Sequence, residues 1–167
     1  FLFLSEEYTT WSSLDMCNFS DGFAFLLKEA GSTDPYQNLA VIPGTDTPVA
    51  VTTVRGPGFC PSANENFFGG YNNATHPTNF NGQTVVMTAQ ANVTPGVVYH
   101  IKLVIADQAD TQYDSAIFLG ANSFNSSVQL GDDRLLSTNN PLCAGETLTL
   151  DATNDLAQGY QWAKDGI

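Results

Sequence analysis

Lysine and arginine are scarce in this sequence, which has 5 of them against 17 aspartate and glutamate residues and a formal net charge of −12. A protein that binds nucleic acid needs clustered Lys and Arg to neutralise phosphates, so the balance argues against DNA or RNA as a partner. It equally argues against a polybasic contact with a membrane surface. An acidic surface is compatible with binding divalent cations, or it serves only to keep a secreted protein soluble.

Long apolar runs are also missing. No stretch approaches the roughly 20 apolar residues of a transmembrane helix, so we expect no membrane insertion by this chain. The opening Phe1–Leu4 is too short for a signal peptide and has no basic start, and it is predicted to be an interior strand. We therefore expect the chain to begin within a domain, with any secretion signal lying upstream.

Catalytic signatures are absent as well. The sequence has no nucleophile-elbow, zinc-protease or phosphate-loop motif, which predicts a protein that is not an enzyme. Glycoside hydrolysis needs one protonated and one ionised carboxyl group at a suitable separation. That activity remains an alternative, supported only by the presence of carboxylates.

Cysteines are few. Cys17 and Cys60 lie in polar, loop-like surroundings, and a disulfide between them is plausible in an oxidising compartment. The alternative is two unpaired thiols. None of the three cysteines has the spacing of a zinc site.

Short apolar segments dominate what is present. They are rich in β-branched and aromatic residues, end at Gly, Pro, Asn or Asp, and hold no convincing helical period. This pattern predicts an all-β fold, an antiparallel β-sandwich of jelly-roll or lectin-like type. The Asn-rich stretch 58–81 is predicted to be an elaborated surface loop. The predicted strands are 22–27, 38–42, 48–54, 84–91, 97–106 and 115–119.

Two acidic groups are candidate calcium ligands. Ca²⁺ takes six to eight oxygen ligands in flexible geometry, and carboxylates at strand ends supply them. The spacing does not match an EF-hand loop. The alternative is that these aspartates cap the backbone amides of their own turns. The candidates are Glu6, Glu7 and Asp21 in the first group, and Asp107, Asp110 and Asp114 in the second.

Five aromatic residues fall in predicted loops, and they are Trp11, Phe67, Phe68, Tyr71 and Phe80. The first four of them are the candidates for ligand binding. Exposed aromatic rings can form a platform on which a sugar stacks. The alternative is that they cover the edge of the core.

Several runs of sequence resemble the choice-of-anchor L domain family. These are S-E-E-Y at 5–8, N-F-S-D-G-F-A-F-L-L at 18–27, N-L-A-V-I-P-G-T at 38–45, Y-H-I-K-L-V-I-A-D at 99–107 and Y-D-S-A-I-F-L-G-A-N-S-F at 113–124. The resemblance implies a large secreted or cell-surface protein of Bacteroidetes-type bacteria, extracellular or on the outer cell surface, and exported by type IX secretion. Members usually have a further stretch before the first of these runs. The family name describes anchoring and implies no ligand.

A second resemblance begins after residue 141. The run from Leu142 to Ala152, with Tyr160 and Trp162, is similar to the start of a bacterial Ig-like repeat. We therefore predict a β-sandwich domain at 1–136 that lacks its first strands, a linker at 137–141 and the truncated start of an Ig-like domain at 142–167. The resemblance implies that the partner of Cys143 lies beyond residue 167.

The function expected from the sequence is non-catalytic. We predict an adhesion or ligand-binding module, carbohydrate-binding and stabilised by Ca²⁺, within a large surface protein. Its expected partners are surface glycans or the surface of a host or neighbouring cell, together with the secretion machinery. The alternatives are a purely structural spacer or cargo module, and a carbohydrate-active enzyme.

Overall fold

The computed structural model describes residues 1–108, 112–121, 123–124, 141, 143, 145–147 and 149. The chain divides into two compact units. One comprises residues 1–93 and 97–123, and the other comprises residues 94–96 and 124–167. The predicted linker and the predicted Ig-like segment lie almost entirely outside the described residues, so both stay predictions.

The regular elements of the first unit are mostly strands. They are Leu2–Ser5 (β1), Ser20–Glu29 (β2), Gln37–Asn38 (β3), Phe68–Tyr71 (β4), Gly82–Thr84 (β5), Tyr99–Gln108 (β6) and Ser115–Phe118 (β7). The helical elements in the described residues are two short 3₁₀ turns, Leu14–Asn18 and Glu65–Phe67. A search of the same residues finds no helix with the length and apolar character needed to span a bilayer.

The strands form two antiparallel sheets. One sheet has the order β4-β5-β1-β7, and the other has the order β3-β2-β6. The second is dominated by a ladder of ten consecutive residue pairs, from Ser20 opposite Gln108 to Glu29 opposite Tyr99. Two antiparallel sheets with almost no helix confirm the predicted all-β sandwich.

The core lies along one face of β2, because successive side chains of a strand point to opposite faces. Phe23 is 2% exposed and its ring centroid lies 5.2 Å from that of Phe1, at the start of β1. Most of the other large buried apolar side chains come from β1, from the turn after it and from the segment 39–54. They include Phe3, Tyr8, Trp11, Ile42, Val49, Val51 and Val54, and Met87 joins them from the stretch after β5.

The prediction of strands at 38–42 and 48–54 is wrong in type, although the apolar residues there are buried. Of these residues only Asn38 belongs to a strand, β3. Val41 forms a single bridge with Pro48, Ala50 forms one with Gly22 of β2, and the chain turns from Val51 onward. The hydroxyl of Thr53 explains this: it accepts the Ala50 N–H at 2.9 Å and donates to the Pro48 carbonyl at 2.7 Å. Such local bonds compete with a strand ladder for the backbone groups.

The prediction of a strand at 84–91 is wrong beyond its first residue, because β5 ends at Thr84. Beyond it the chain continues as irregular backbone, and the Met87 N–H donates to the Phe1 carbonyl at 2.8 Å. The long stretch 58–81 contains strand β4, which pairs with β5 through a register shift near Gly69. A Cβ on Gly69 would overlap the Thr84 carbonyl, so the close approach of these strands requires glycine.

Candidate functional site

One buried carboxylate joins the two sheets. Asp21 on β2 is 3% exposed, and its Oδ2 accepts the hydroxyl of Ser5 on β1 at 2.9 Å. The same oxygen accepts the hydroxyl of Ser115 on β7. Buried charges need hydrogen-bond partners, and these two hydroxyls supply them. Asp21 therefore has a structural role independent of any ligand.

Strand pairing links two residues of the first acidic group to two residues of the second. Glu6 and Asp114 are joined by backbone, since the Glu6 N–H donates to the Asp114 carbonyl at 2.9 Å. The Asp114 N–H in turn donates to Oε2 of Glu6 at 3.2 Å. Asp21 lies directly opposite Asp107 in the ladder between β2 and β6. Strand pairing thus brings residues distant in sequence to one end of the sandwich.

Glu7 and Asp110 are the remaining acidic candidates. Glu7 is 2% exposed; its N–H donates to the Ser5 hydroxyl oxygen at 2.9 Å, and its Oε1 accepts the Thr10 hydroxyl at 3.1 Å. Asp110 lies outside the described residues. Within residues 1–108 and 112–121 and the short described stretches after them, no three His, Cys, Asp or Glu side chains are grouped so that they could hold a metal. The calcium set stays a prediction.

The aromatic candidates form a packed row rather than an open platform. Trp11 is 7% exposed and meets Tyr8 edge-on at a centroid distance of 6.5 Å. Tyr8 packs on Phe68 at 5.3 Å, and Phe68 on Tyr71 at 4.7 Å. Phe67 is half-buried against the core. Of the four candidates, Tyr71 is the most exposed, at 37%, and its hydroxyl donates to the Gly56 carbonyl at 3.0 Å.

A disulfide joins Cys17 and Cys60, whose Cα atoms lie 5.5 Å apart. Arg55 reinforces the same region: its Nη1 donates to the Cys17 carbonyl at 3.0 Å and its Nε to the Pro61 carbonyl at 2.6 Å. The guanidinium carbon also lies 5.4 Å from the Trp11 ring centroid. Burial lowers the pKa of Arg55 from its ordinary value. The Arg55 cation thus bonds the chain on both sides of the disulfide. The third cysteine, Cys143, is exposed and makes no disulfide.

A polar pocket lies in the loop between β4 and β5. Its volume is about 430 Å³, and it is lined by residues 72–74 and 76–81. This falls within the range of about 300–1,000 Å³ that small-molecule sites occupy. Four of the lining side chains are asparagines, and none is acidic, lysine or arginine. The sequence reasoning treated this stretch as a surface loop and did not identify the pocket.

Hydrogen bonds within the loop 72–81 hold its shape. The Asn72 amide donates to the Phe80 carbonyl at 2.8 Å, which closes the loop across its base. The Asn73 Oδ1 accepts the Thr75 N–H at 2.9 Å, and the His76 Nδ1 accepts the Thr78 N–H at 3.3 Å. The Asn81 amide donates to the Glu6 carbonyl. A concave shape held by internal hydrogen bonds is largely formed before any ligand arrives.

Some polar atoms of the residues that line the pocket are not used by these hydrogen bonds. Asn79 is exposed, and its side-chain amide makes no hydrogen bond within the described part of the chain. His76 adds its second ring nitrogen, Nε2, to the polar atoms of these lining residues. Phe80 is the aromatic residue among these lining residues. The wall therefore offers donors, acceptors and one apolar ring, without fixed charge.

The features above define a disulfide-bonded, all-β module of the kind found outside the cytosol. Residues 1–125 match the choice-of-anchor L domain, and the chain belongs to that family. The family is one of cell-surface or secreted proteins. No curated protein and no solved structure matches the chain.

Proposed function

We propose that the module binds neutral carbohydrate through the loop 72–81 and acts as a non-catalytic adhesion domain of a cell-surface protein. The observation that carries the proposal is the amide-lined pocket of about 430 Å³. An amide group offers both donors and an acceptor, which matches the hydroxyl groups of a sugar. The ring of Phe80 is suited to the apolar face of a pyranose.

The charge of the protein favours one class of carbohydrate over another. The pocket has no lysine or arginine in its wall, and the whole chain carries a formal charge of −12. An anionic glycan would be repelled by this field and would find no cation to pair with. We therefore expect neutral oligosaccharides to bind better than sialylated or sulfated ones.

Replacing Asn79 by alanine tests the proposal. We expect the variant to bind its neutral oligosaccharide roughly five- to tenfold more weakly, because the loss of one hydrogen bond costs about 1 kcal/mol. The best ligand is first selected on a glycan array. Its affinity is then measured by isothermal titration calorimetry for the wild-type protein and for Asn79→Ala.

Asn66→Ala is the matched control, because Asn66 is exposed and lies outside the pocket. Its affinity should equal that of the wild type. Equal affinities for both alanine variants would contradict binding at this loop. A folded protein that binds no neutral glycan on the array would favour the alternative of a structural spacer.

We further propose that Ca²⁺ stabilises the acidic end of the sandwich. The support is the pairing of Asp21 with Asp107 across β2 and β6, which places two carboxylate residues directly opposite each other, and carboxylate oxygens are ligands that Ca²⁺ prefers. Calcium at ten times its Kd would add about 1.4 kcal/mol to the free energy of unfolding and raise the melting temperature by about 4 °C. Differential scanning fluorimetry in calcium and in chelator measures this.

Two aspartate variants distinguish specific binding of Ca²⁺ from general screening of the protein's negative charge by the salt. Asp107→Asn should lose the calcium-dependent rise, whereas Asp46→Asn should keep it, because Asp46 is exposed and lies outside the acidic groups. Equal melting temperatures of the wild-type protein in calcium and in chelator would count against the ion.

A further inference from the structure

The acidic and the basic side chains of β2 and β6 lie on opposite faces of their sheet. In the ladder between the two strands, odd-numbered residues pair with odd-numbered residues and even-numbered residues with even-numbered ones. Paired side chains share a face, and successive side chains of a strand alternate between faces. The acidic residues have odd numbers, and they are Asp21, Glu29 and Asp107. The lysine and histidine residues have even numbers, and they are Lys28, His100 and Lys102.

The face with the even-numbered residues is turned away from the core. Phe23 and Leu27, which are odd-numbered residues of β2, are buried. On the other face His100 and Lys102 are exposed, and Lys28 is half-buried. His100 lies directly opposite Lys28 in the ladder. The lysine and histidine side chains of these strands therefore share a surface to which neither strand contributes a carboxylate.

Tyr36 brings the two lysines together on this surface. It precedes β3 by one residue, and the register of β3 on β2 continues so that Tyr36 lies beside Lys28. The Lys28 Nζ lies 5.4 Å from the centroid of the Tyr36 ring, and the Lys102 Nζ lies 4.4 Å from it. Because β2 lies between β3 and β6, the Lys102 side chain extends across β2 to reach the ring. We call Lys28, Tyr36, His100 and Lys102 the cationic face.

The two lysines have no carboxylate partner among the residues that the structure describes. Glu29 follows Lys28 in the chain but belongs to the opposite face of the strand. Asp34 lies two residues before Tyr36, and its Oδ2 accepts the Ser32 hydroxyl at 2.6 Å. The two ammonium groups repel each other, and an aromatic ring offsets only part of that repulsion. An anion between the two ammonium groups would offset the rest.

Lysine and arginine side chains are rare elsewhere in the chain, which has 5 of them in all. Besides the two lysines, the structure describes Arg55, which is buried and bonds the carbonyls of Cys17 and Pro61. At physiological ionic strength, exposed charges more than about 8 Å apart are largely screened from each other. The two lysines at one ring therefore count for more at this surface than the formal net charge of −12.

We propose that the cationic face binds a carboxylate or sulfate group of an acidic carbohydrate. The oxyanion lies between the ammonium groups of Lys28 and Lys102, which donate charge-assisted hydrogen bonds to it. Tyr36 offers a hydroxyl group and an aromatic ring to the neighbouring part of the sugar. The site is separate from the loop 72–81, whose pocket has no lysine or arginine, so it goes beyond the function proposed above.

The small number of cations favours a ligand whose charges are widely spaced. Duplex DNA carries one charge per about 1.7 Å of its axis and needs many lysine and arginine contacts. A densely acidic peptide would likewise bring many charges close to a protein with a formal net charge of −12. An acidic carbohydrate separates its charged groups by neutral, hydroxyl-rich sugar. It therefore places one oxyanion between the two lysines with the least repulsion from the rest of the protein.

Three oligosaccharides test the proposal on the full chain. An oligogalacturonate carries carboxylates, a sulfated dextran oligosaccharide carries sulfate esters, and the unmodified dextran oligosaccharide carries no charge. Isothermal titration calorimetry at low salt should show binding of at least one acidic oligosaccharide, and the two acidic forms distinguish carboxylate from sulfate. Binding should weaken at about 150 mM salt, because exposed cations hold the ligand.

Charge-neutralising variants of the lysines locate the binding. Lys28→Gln and Lys102→Gln should each bind the acidic oligosaccharide about two- to fivefold more weakly, as loss of an exposed ion pair predicts. Asn66→Asp is the matched control, because it changes the net charge by the same one unit at an exposed residue outside the cationic face. It should bind like the wild type. Any binding of the uncharged dextran should be the same in all four proteins.

Nuclear magnetic resonance separates this site from the loop. The backbone amides of residues 26–28 and 100–102 should shift with the acidic oligosaccharide, while those of residues 72–81 stay fixed. A folded wild-type protein that binds neither acidic oligosaccharide at low salt would overturn the proposal. So would lysine variants that bind as tightly as the wild type, or an equal loss in Asn66→Asp. Tighter binding of oligoglutamate than of either acidic oligosaccharide would assign the face to acidic peptides instead.

Discussion

Replacing Cys17 and Cys60 together by serine is expected to lower the free energy of unfolding by about 4 kcal/mol. The disulfide joins residues 43 positions apart, and closing a loop of that length removes much conformational entropy from the unfolded chain. Its native surroundings are rigid, because Arg55 bonds the carbonyls of Cys17 and Pro61 on either side of it. Denaturant unfolding followed by tryptophan fluorescence measures the difference.

Cys143→Ser is the internal control for this effect. Cys143 is exposed and makes no disulfide, so its replacement should leave the free energy of unfolding unchanged. Mild reduction of the wild-type protein should reproduce the double serine variant. A double variant within about 1 kcal/mol of the wild type would show that the disulfide contributes less than its loop length predicts.

Tyr8→Ala is expected to cost about 3–5 kcal/mol, as large-to-small changes of buried aromatic residues do. Tyr8 is fully buried, packs on Trp11 and Phe68, and lies so close to Gly82 that a Cβ there would come within 2.9 Å of its ring. Urea unfolding of the variant measures the loss.

Tyr8→Phe separates packing from the hydrogen bond. The phenol donates to the Val54 carbonyl at 2.7 Å, so this variant should lose only about 1–2 kcal/mol. Burial also raises the pKa of Tyr8 well above its usual range. The folded state therefore favours the neutral phenol, and the stability it contributes falls as the pH rises above about 10, the pKa of an unfolded tyrosine. Tyr8→Phe should show a shallower alkaline loss; a loss as steep as that of the wild type would contradict this assignment.

The sequence predicted the longest elements well because these runs are rich in β-branched and aromatic residues. The run 97–106 became β6 and the run 22–27 became the centre of β2. The run 48–54 has equally strong β propensity, yet it turns, because the Thr53 hydroxyl satisfies backbone groups that a ladder would have used. The β propensity of this run therefore predicts correctly that its apolar residues are buried, but it does not predict the path of the backbone.

The candidate sites depended on contacts between distant residues, which a single sequence does not display. The acidic groups meet because β1 pairs with β7 and β2 pairs with β6, while the serines that bond Asp21 carried no signal of their own. The Asn-rich run at 72–81 was visible as a loop. Its concave shape depends on the bond from Asn72 to Phe80 and on the pairing of β4 with β5.

Binding of a neutral oligosaccharide at the loop 72–81 is the central claim, and nuclear magnetic resonance tests it most directly. In ¹H–¹⁵N spectra, the side-chain amides of Asn72, Asn73, Asn79 and Asn81 are recorded while the best array ligand is added. We predict that their signals shift with ligand concentration, together with the backbone amide of Phe80, while those of β2 and β6 stay fixed. Shifts confined to another surface, or an unchanged spectrum at saturating ligand, would contradict the claim.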